Sequence, residues 1–407
     1  MCHSCLLGAT LLLLACGQRD GATAQATSIT TRDSSGVTIV EHPRGALAAA
    51  PSFGLGKPIV TIGGASVDSL HDATFLADAI FVDSSRFVAV DRRSWQMVLF
   101  DSTGKVLATY GRRGDGPGEF REYPSPHYAA DGSPWTMNYP ARVMRFSPGL
   151  QLLTDLTLAV GGAADQLLRP VHPGAVLAVS RAPILPKSAS EPVQRSAEYL
   201  VRIDTTGRDT LATWQGMEWY PVAAKEGGNT FVAYDQLYFG KSIVVELWGD
   251  QLVIGTNDGW VLDVRDTTGT LRRRIELHEA AKPVTDAMRD SVRHAQRMRI
   301  DEWKAPAAAK AAPLAAIAAL RFADSVAWYQ EAIAASDGAL WVAETVVPTD
   351  NARCYAVFDA SGRLIRRVMM PARYRLLAAD GDRVLVRRLD PDGIGYIDLV
   401  RLVPAAP

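Results

Sequence analysis

The sequence predicts an all-β chain, a six-bladed β-propeller of four-stranded blades with one helical insertion, and three observations predict it. Past Gly36 the chain is a succession of short alternating strands and tight turns. One strand–turn–strand element recurs, as VLFDSTGKVL (98–107), VRIDTTGRDTL (201–211), DVRDTTGTLRR (263–273) and AVFDASGRLIRR (356–367), with VMRFSPGLQLL (143–153) a degenerate copy. Upstream of these copies sits a second hairpin, such as RFVAVDRRSWQMVLFD or DQLVIGTNDGWVLDVRD. Hairpin plus repeat gives a four-stranded unit that cannot bury its faces alone and must stack on neighbours. Units centred near residues 90, 140, 190, 255, 350 and 390 make the ring six-bladed.

The first residues read as an export signal. CLLGATLLLLAC is an apolar run too short to span a bilayer. Its end, Leu13-Leu14-Ala15-Cys16, resembles the lipobox of bacterial lipoproteins, although no Lys or Arg precedes the run. That resemblance implies a signal peptide over 1–15, lipidation of Cys16, and, with Gly17 next, the outer membrane. Residues 16–35 are polar and read as a tether. Cys2 and Cys5 would leave with the signal, so Cys354 is the remaining thiol, and no internal disulfide framework is expected. Cys354 sits in the alternating pattern RCYAVFD and reads as a structural thiol.

The propeller would span 36–407. GVTIVEHP (36–43) is an isolated strand, and pairing it with the C-terminal blade would close the ring and remove an open edge. In each repeat the aspartate before the turn, Asp101, Asp204, Asp266 or Asp359, is placed to accept hydrogen bonds from the turn's own amides. The stretch YGRRGDGPGEF (110–120) places glycines at 114, 116 and 118 around Pro117, a corner that non-glycine residues could not turn. Phe120 is expected to wedge between blades while Glu119 accepts amide hydrogen bonds. This stretch resembles the NHL-type repeat of six-bladed propellers, over about residues 80–126 and more weakly beyond.

One segment leaves the ring. KPVTDAMRDSVRHAQRMRIDEW (282–303) has Met288, Val292, Ala295 and Met298 at helical spacing, with Arg289, Arg293 and Arg297 in a stripe. Pro283 and Thr285 suit a helix start. The alanine-rich piece that follows is expected to be broken at Pro306 and Pro313, ending a helical insertion over about 282–325.

Function is less legible. With 43 Lys+Arg against 44 Asp+Glu, no basic field points to nucleic acid. The sequence carries no G-x-S-x-G, H-E-x-x-H or His-x-His motif. His127 and His172 enter inner strands at similar repeat positions, with Arg121 and Arg169 close by, so all four are candidates to line a central channel. WQGMEWYPVAAKEGGNTFVAYDQLYF (214–239) holds seven Trp, Tyr or Phe in 26 residues. Trp219, Tyr220, Tyr234 and Tyr238 are therefore candidate ligand contacts, since such rings combine apolar area with a polar tip. The leading expectation is a lipid-anchored, non-catalytic envelope module that binds a protein, peptide or carbohydrate and needs no cofactor. The alternative is a hydrolase or lyase of the NHL-like kind, which would hold calcium or zinc in its channel.

Overall fold

A computed structural model of the protein describes residues 28–405, apart from 64–75, 129–132, 139–141, 158–164, 173–174, 183–187, 189, 205, 227–228 and 391–393. The expected signal segment and Cys16 lie outside the described residues. No described helix is long and apolar enough to cross a membrane.

The chain is mostly strand, laid down as successive antiparallel meanders. It opens with a hairpin, β1 (Thr30–Ser34) and β2 (Val37–His42), then a four-residue helix α1 (Ala46–Ala49) and a long strand β3 (Ser52–Gly63). The first meander is β4 (Leu76–Asp83), β5 (Arg86–Asp91), β6 (Gln96–Asp101) and β7 (Val106–Tyr110). The next is β8 (Pro126–Tyr128), β9 (Pro134–Asn138), β10 (Arg142–Phe146) and β11 (Leu152–Thr157). It is followed by β12 (Asp165–His172), β13 (Ala175–Arg181), β14 (Gln194–Asp204), β15 (Arg208–Glu226) and a fifth strand, β16 (Asn229–Gln236). Then come β17 (Val244–Trp248), β18 (Gln251–Gly255), β19 (Val261–Arg265) and β20 (Leu271–Leu277). After helices α2 (Asp286–Glu302) and α3 (Ala307–Ala316), the chain resumes with β21 (Tyr329–Ala334), β22 (Leu340–Glu344), β23 (Ala352–Phe358) and β24 (Leu364–Pro371). It ends with β25 (Tyr374–Asp380), β26 (Arg383–Leu389) and β27 (Gly395–Pro404).

Alternation along the strands explains how the meanders assemble. Side chains of successive strand residues point to opposite faces, so a strand apolar at every position is buried on both. In β5, Phe87 and Ala89 pack toward the β25–β27 sheet, while Val88 and Val90 pack toward Met144 and Phe146 of β10. In β22, Leu340 and Val342 face the β17–β20 meander, and Trp341 and Ala343 face β25–β27. The same two-faced burial joins β8–β11 to β12–β15, and β12–β15 to β17–β20. These interfaces follow one another around the molecule and return to their start, which makes the fold a β-propeller. The first strands of the meanders line its axis, with β12 beside β17, β17 beside β21, β21 beside β25, β25 beside β4, and β4 beside β8.

Ring closure departs from expectation. Residues 37–42 do not pair with the C-terminal strands; β2 runs parallel to β20 and adds to the outer edge of that sheet. The closing strand is β3, antiparallel to β27 from Phe53↔Pro404 to Gly63↔Tyr396. Strand length decides it, because β3 covers the whole of β27 whereas β2 has only six residues. Thr61 Oγ1 of β3 donates to Asp398 Oδ1 of β27 at 2.7 Å, pinning the register.

The turn chemistry is as expected. The Oδ1 atoms of Asp101, Asp204, Asp266 and Asp359 each accept the amide two residues on, at 2.7–2.9 Å. In the corner after β7, Gly118 has φ +75°, and a Cβ on Gly114 would lie 2.1 Å from Glu119 Oε2. Glu119 accepts the Gly116 amide at 2.8 Å, and Phe120 is fully buried between the first two meanders.

The helical excursion starts where expected, with Thr285 Oγ1 capping the Met288 amide at 3.3 Å. Met288 and Val292 are buried against Val284, Val326 and Val347, but Ala295 and Met298 are exposed, because the seam continues through Gln296, which bonds Tyr238. Arg289 and Arg293 pair with Asp286 and Asp290 one turn back. Pro306 caps α3, whereas Pro313 lies inside it rather than breaking it. The alanines around Pro313 have high helix propensity, and the helix ends three residues later at Ala316.

Candidate functional site

Two concave sites emerge from this architecture. The first is on the axis. Asp78, Glu246 and Glu331 are the third residues of β4, β17 and β21, and His127 and Arg375 the second residues of β8 and β25, so equivalent positions converge on one level of the channel. They line a cavity of about 230 Å³ whose remaining wall is largely apolar. Arg375 donates to Glu331 at 3.1 Å. Burial pushes the Glu246 carboxyl up to about 8, the Leu247 and Ala334 amides opposing and Glu331 adding to the rise. Burial likewise holds the His127 imidazole below its ordinary value, against the pull of Asp78. At neutral pH the channel therefore presents a protonated carboxyl and a neutral imidazole beside one ion pair, a set able to give and take protons.

Of the residues expected here, His127 is in the channel wall, its ring stacked on Trp135 with centroids 4.9 Å apart. Arg121 is not; it is exposed and paired with Asp115 in the corner. Arg169 and His172 belong to inner strand β12, opposite Leu177 and Ala175 of β13, and their side chains are outside the described residues.

The aromatic stretch is the β15–β16 hairpin, which extends its sheet beyond four strands. Tyr220 is buried, its hydroxyl 3.3 Å from Asp235 and the Arg321 guanidinium over its ring. Trp219 lies under Arg181, and Tyr234 donates to Glu191 at 3.0 Å. Tyr238 accepts from Gln296 of α2 at 2.8 Å and packs on Phe322. The described hairpin rings thus make structural contacts on several sides of the hairpin.

The second site is lateral, a cavity of about 590 Å³ between the β17–β20 and β21–β24 meanders under α1. Trp260 and Trp328 line it with Glu279, Lys282, Glu344, Asp350, Cys354 and Arg367. Glu279 is committed to the roof, accepting the amides of Gly45 and Leu47 at 3.3 and 3.1 Å. Glu344 and Arg367 form a loose pair, Oε1 to Nε 3.6 Å, and both atoms are buried without a hydrogen bond. Burial raises the Glu344 carboxyl, with Arg367 opposing. Burial also raises the Cys354 thiol although Arg367 donates to its sulfur at 3.2 Å, so it stays a thiol rather than a nucleophilic thiolate.

Among the described residues, one set of three metal-ligating donors lies within 4.8 Å of one another, Glu41, Glu276 and His278, on the outer edge where β2 meets β20.

No family model matches the sequence, and no curated protein matches it. Among solved structures, the chain is similar to a Bacteroides fragilis protein at 11% identity, covering 87% of this chain and 99% of that one, with a TM-score of 0.44. It is similar to a member of the DUF4221 family from Bacteroides vulgatus at 9% identity, covering 88% and 99%, with a TM-score of 0.45. A streptogramin B lyase structure matches at 11% identity over 83% and 85%, with a TM-score of 0.34.

Proposed function

We propose that the protein is an exported propeller of six four-stranded blades, NHL-like in its repeats and held at the outer membrane through a lipidated Cys16. In this reading it serves the cell envelope as a non-catalytic binding module for a peptide, carbohydrate or protein segment. The lateral cavity carries the reading. Its volume of about 590 Å³ falls within the roughly 300–1,000 Å³ typical of small-ligand sites, whereas the channel cavity of about 230 Å³ falls below it. Trp328 supplies apolar ring area, and the loosely paired Glu344 and Arg367 supply an acceptor and a donor that a ligand's polar groups can engage. A thiol held protonated offers no covalent chemistry there.

The test is calorimetric titration of the purified protein with a panel of dipeptides and of mono- and disaccharides, repeated on Trp328→Ala and Glu344→Gln. Binding by the native chain that both variants weaken at least about tenfold supports the reading. Binding that both variants retain unchanged overturns the site. A second reading, channel catalysis, is favoured by one observation, the Glu246 carboxyl poised at about 8 beside His127. It requires hydrolase or lyase turnover that disappears in Glu246→Gln.

A further inference from the structure

The set of donors at the β2–β20 edge lies outside both cavities. The parallel register places Glu41 directly opposite Glu276. His278, two residues past Glu276, falls on the same face because strand side chains alternate. The His278 amide donates to His42 O at 3.1 Å, which carries the pairing on to the imidazole's position. One carboxylate oxygen from each glutamate and one ring nitrogen lie within 4.8 Å of one another.

Two further observations bear on what this arrangement holds. Like charges directly opposed on neighbouring strands destabilise the pairing, and the protein's own cations hydrogen-bond only one of the two. Arg32 donates through Nε and Nη2 to Glu41 Oε1 at 3.1 and 3.0 Å, while among the described residues nothing donates to the Glu276 carboxylate. Arg274, whose charge attracts Glu276, is hydrogen-bonded instead to Asp263 through two bonds of 2.7 and 3.1 Å. Arg32 also orients the Glu41 carboxylate, as the outer partners of metal-ligating carboxylates do.

We propose that Glu41, Glu276 and His278 bind a divalent transition-metal cation, zinc by preference, which clamps the N-terminal hairpin onto the β17–β20 sheet. Two oxygens and one imidazole nitrogen suit zinc, whereas magnesium and calcium take oxygen donors. Metal–ligand distances of about 2.0–2.2 Å bring tetrahedral donors to roughly 3.3–3.6 Å from one another. Side-chain rotation closes the remaining gap without moving the strands, and water completes the coordination. His278 is exposed, so the cation reaches the site from solvent.

The experiment titrates EDTA-treated full-length protein with ZnCl₂ by calorimetry at pH 7.5, and follows thermal unfolding with and without ZnCl₂. One zinc per chain and a raised Tm are expected. Affinity should fall at least about tenfold in His278→Ala and in Glu276→Gln, and stay unchanged in His294→Ala, whose exposed ring lies on α2. His278→Ala changes an exposed side chain, so circular dichroism should show its fold intact. No zinc uptake by the native chain overturns the proposal, as does uptake that survives His278→Ala, or CaCl₂ binding as tightly as ZnCl₂.

Discussion

Replacing His42 with leucine should make the protein less stable at neutral pH and, in the same variant, remove part of its sensitivity to acid. His42 ends β2 and is fully buried between two meanders. The Leu364 amide donates to its Nε2 at 2.9 Å, and its Nδ1 lies 3.0 Å from the Glu276 carbonyl. An acceptor Nε2 and a donor Nδ1 define one neutral tautomer, so a protonated ring would lose the Leu364 bond. Leucine forfeits both bonds, each of about 1 kcal/mol net, and leaves the buried Leu364 amide unsatisfied at about 1–3 kcal/mol, a loss of roughly 3–5 kcal/mol in all. Burial lowers the His42 pKa, and the neighbouring Arg363 and His278 lower it further, while the Glu276 carbonyl and Asp359 oppose. The unfolded chain therefore takes up a proton as pH falls through about 6.5 while the folded chain does not, so His42 draws stability down below that pH. Urea unfolding at pH 7.5, 6.5 and 5.5 should show a gap between native protein and His42→Leu that narrows toward pH 5.5. A gap that stays constant or widens on acidification would refute the tautomer argument.

The closing strand and the channel make further predictions. Asp398 is fully buried, accepting from Thr61 at 2.7 Å and from Arg388 at 2.6 Å. Asp398→Ala should cost about 3–5 kcal/mol by stranding the partly buried Arg388, with Asp398→Asn falling between it and native in chemical denaturation. The raised carboxyl of Glu246 acts opposite to His42, since the folded state keeps a proton that the unfolded state releases above its ordinary range. Glu246→Gln should therefore gain stability relative to native as pH rises from 5 toward 8, and equal melting offsets at the two ends would count against the burial of that carboxyl.

What was legible in the sequence depended on local chemistry. The aspartate–glycine turns and the corner at 110–120 could be read because a turn's amides, a positive φ and a wedge residue lie within a few positions of one another. Thr285 announced α2 for the same reason. Closure could not be read that way. Both GVTIVEH and SFGLGKPIVTIG offer strand patterns, and only the three-dimensional reach of β27 selects the longer of them. The aromatic richness of 214–239 belongs in part to the hairpin itself, since a long hairpin packs rings along its flanks whether or not it meets a ligand.

The candidate sites show the same boundary more sharply. Glu276 and His278 alternate along one strand face, but ELHE (276–279) has a single His and no zinc-type spacing, so nothing local in the sequence announces a metal site there. The third proposed donor, Glu41, sits far away in sequence and arrives only through a parallel register that no local signal encodes. The channel is built likewise from single residues of separate meanders, Asp78, His127, Glu246, Glu331 and Arg375, of which only His127 stood out in its own strand. A propeller repeats its local structure and varies its sites one residue per blade. Sequence periodicity therefore reports the scaffold strongly, and reports the chemistry only where a repeat departs from its neighbours by placing a charge at an inner-strand position.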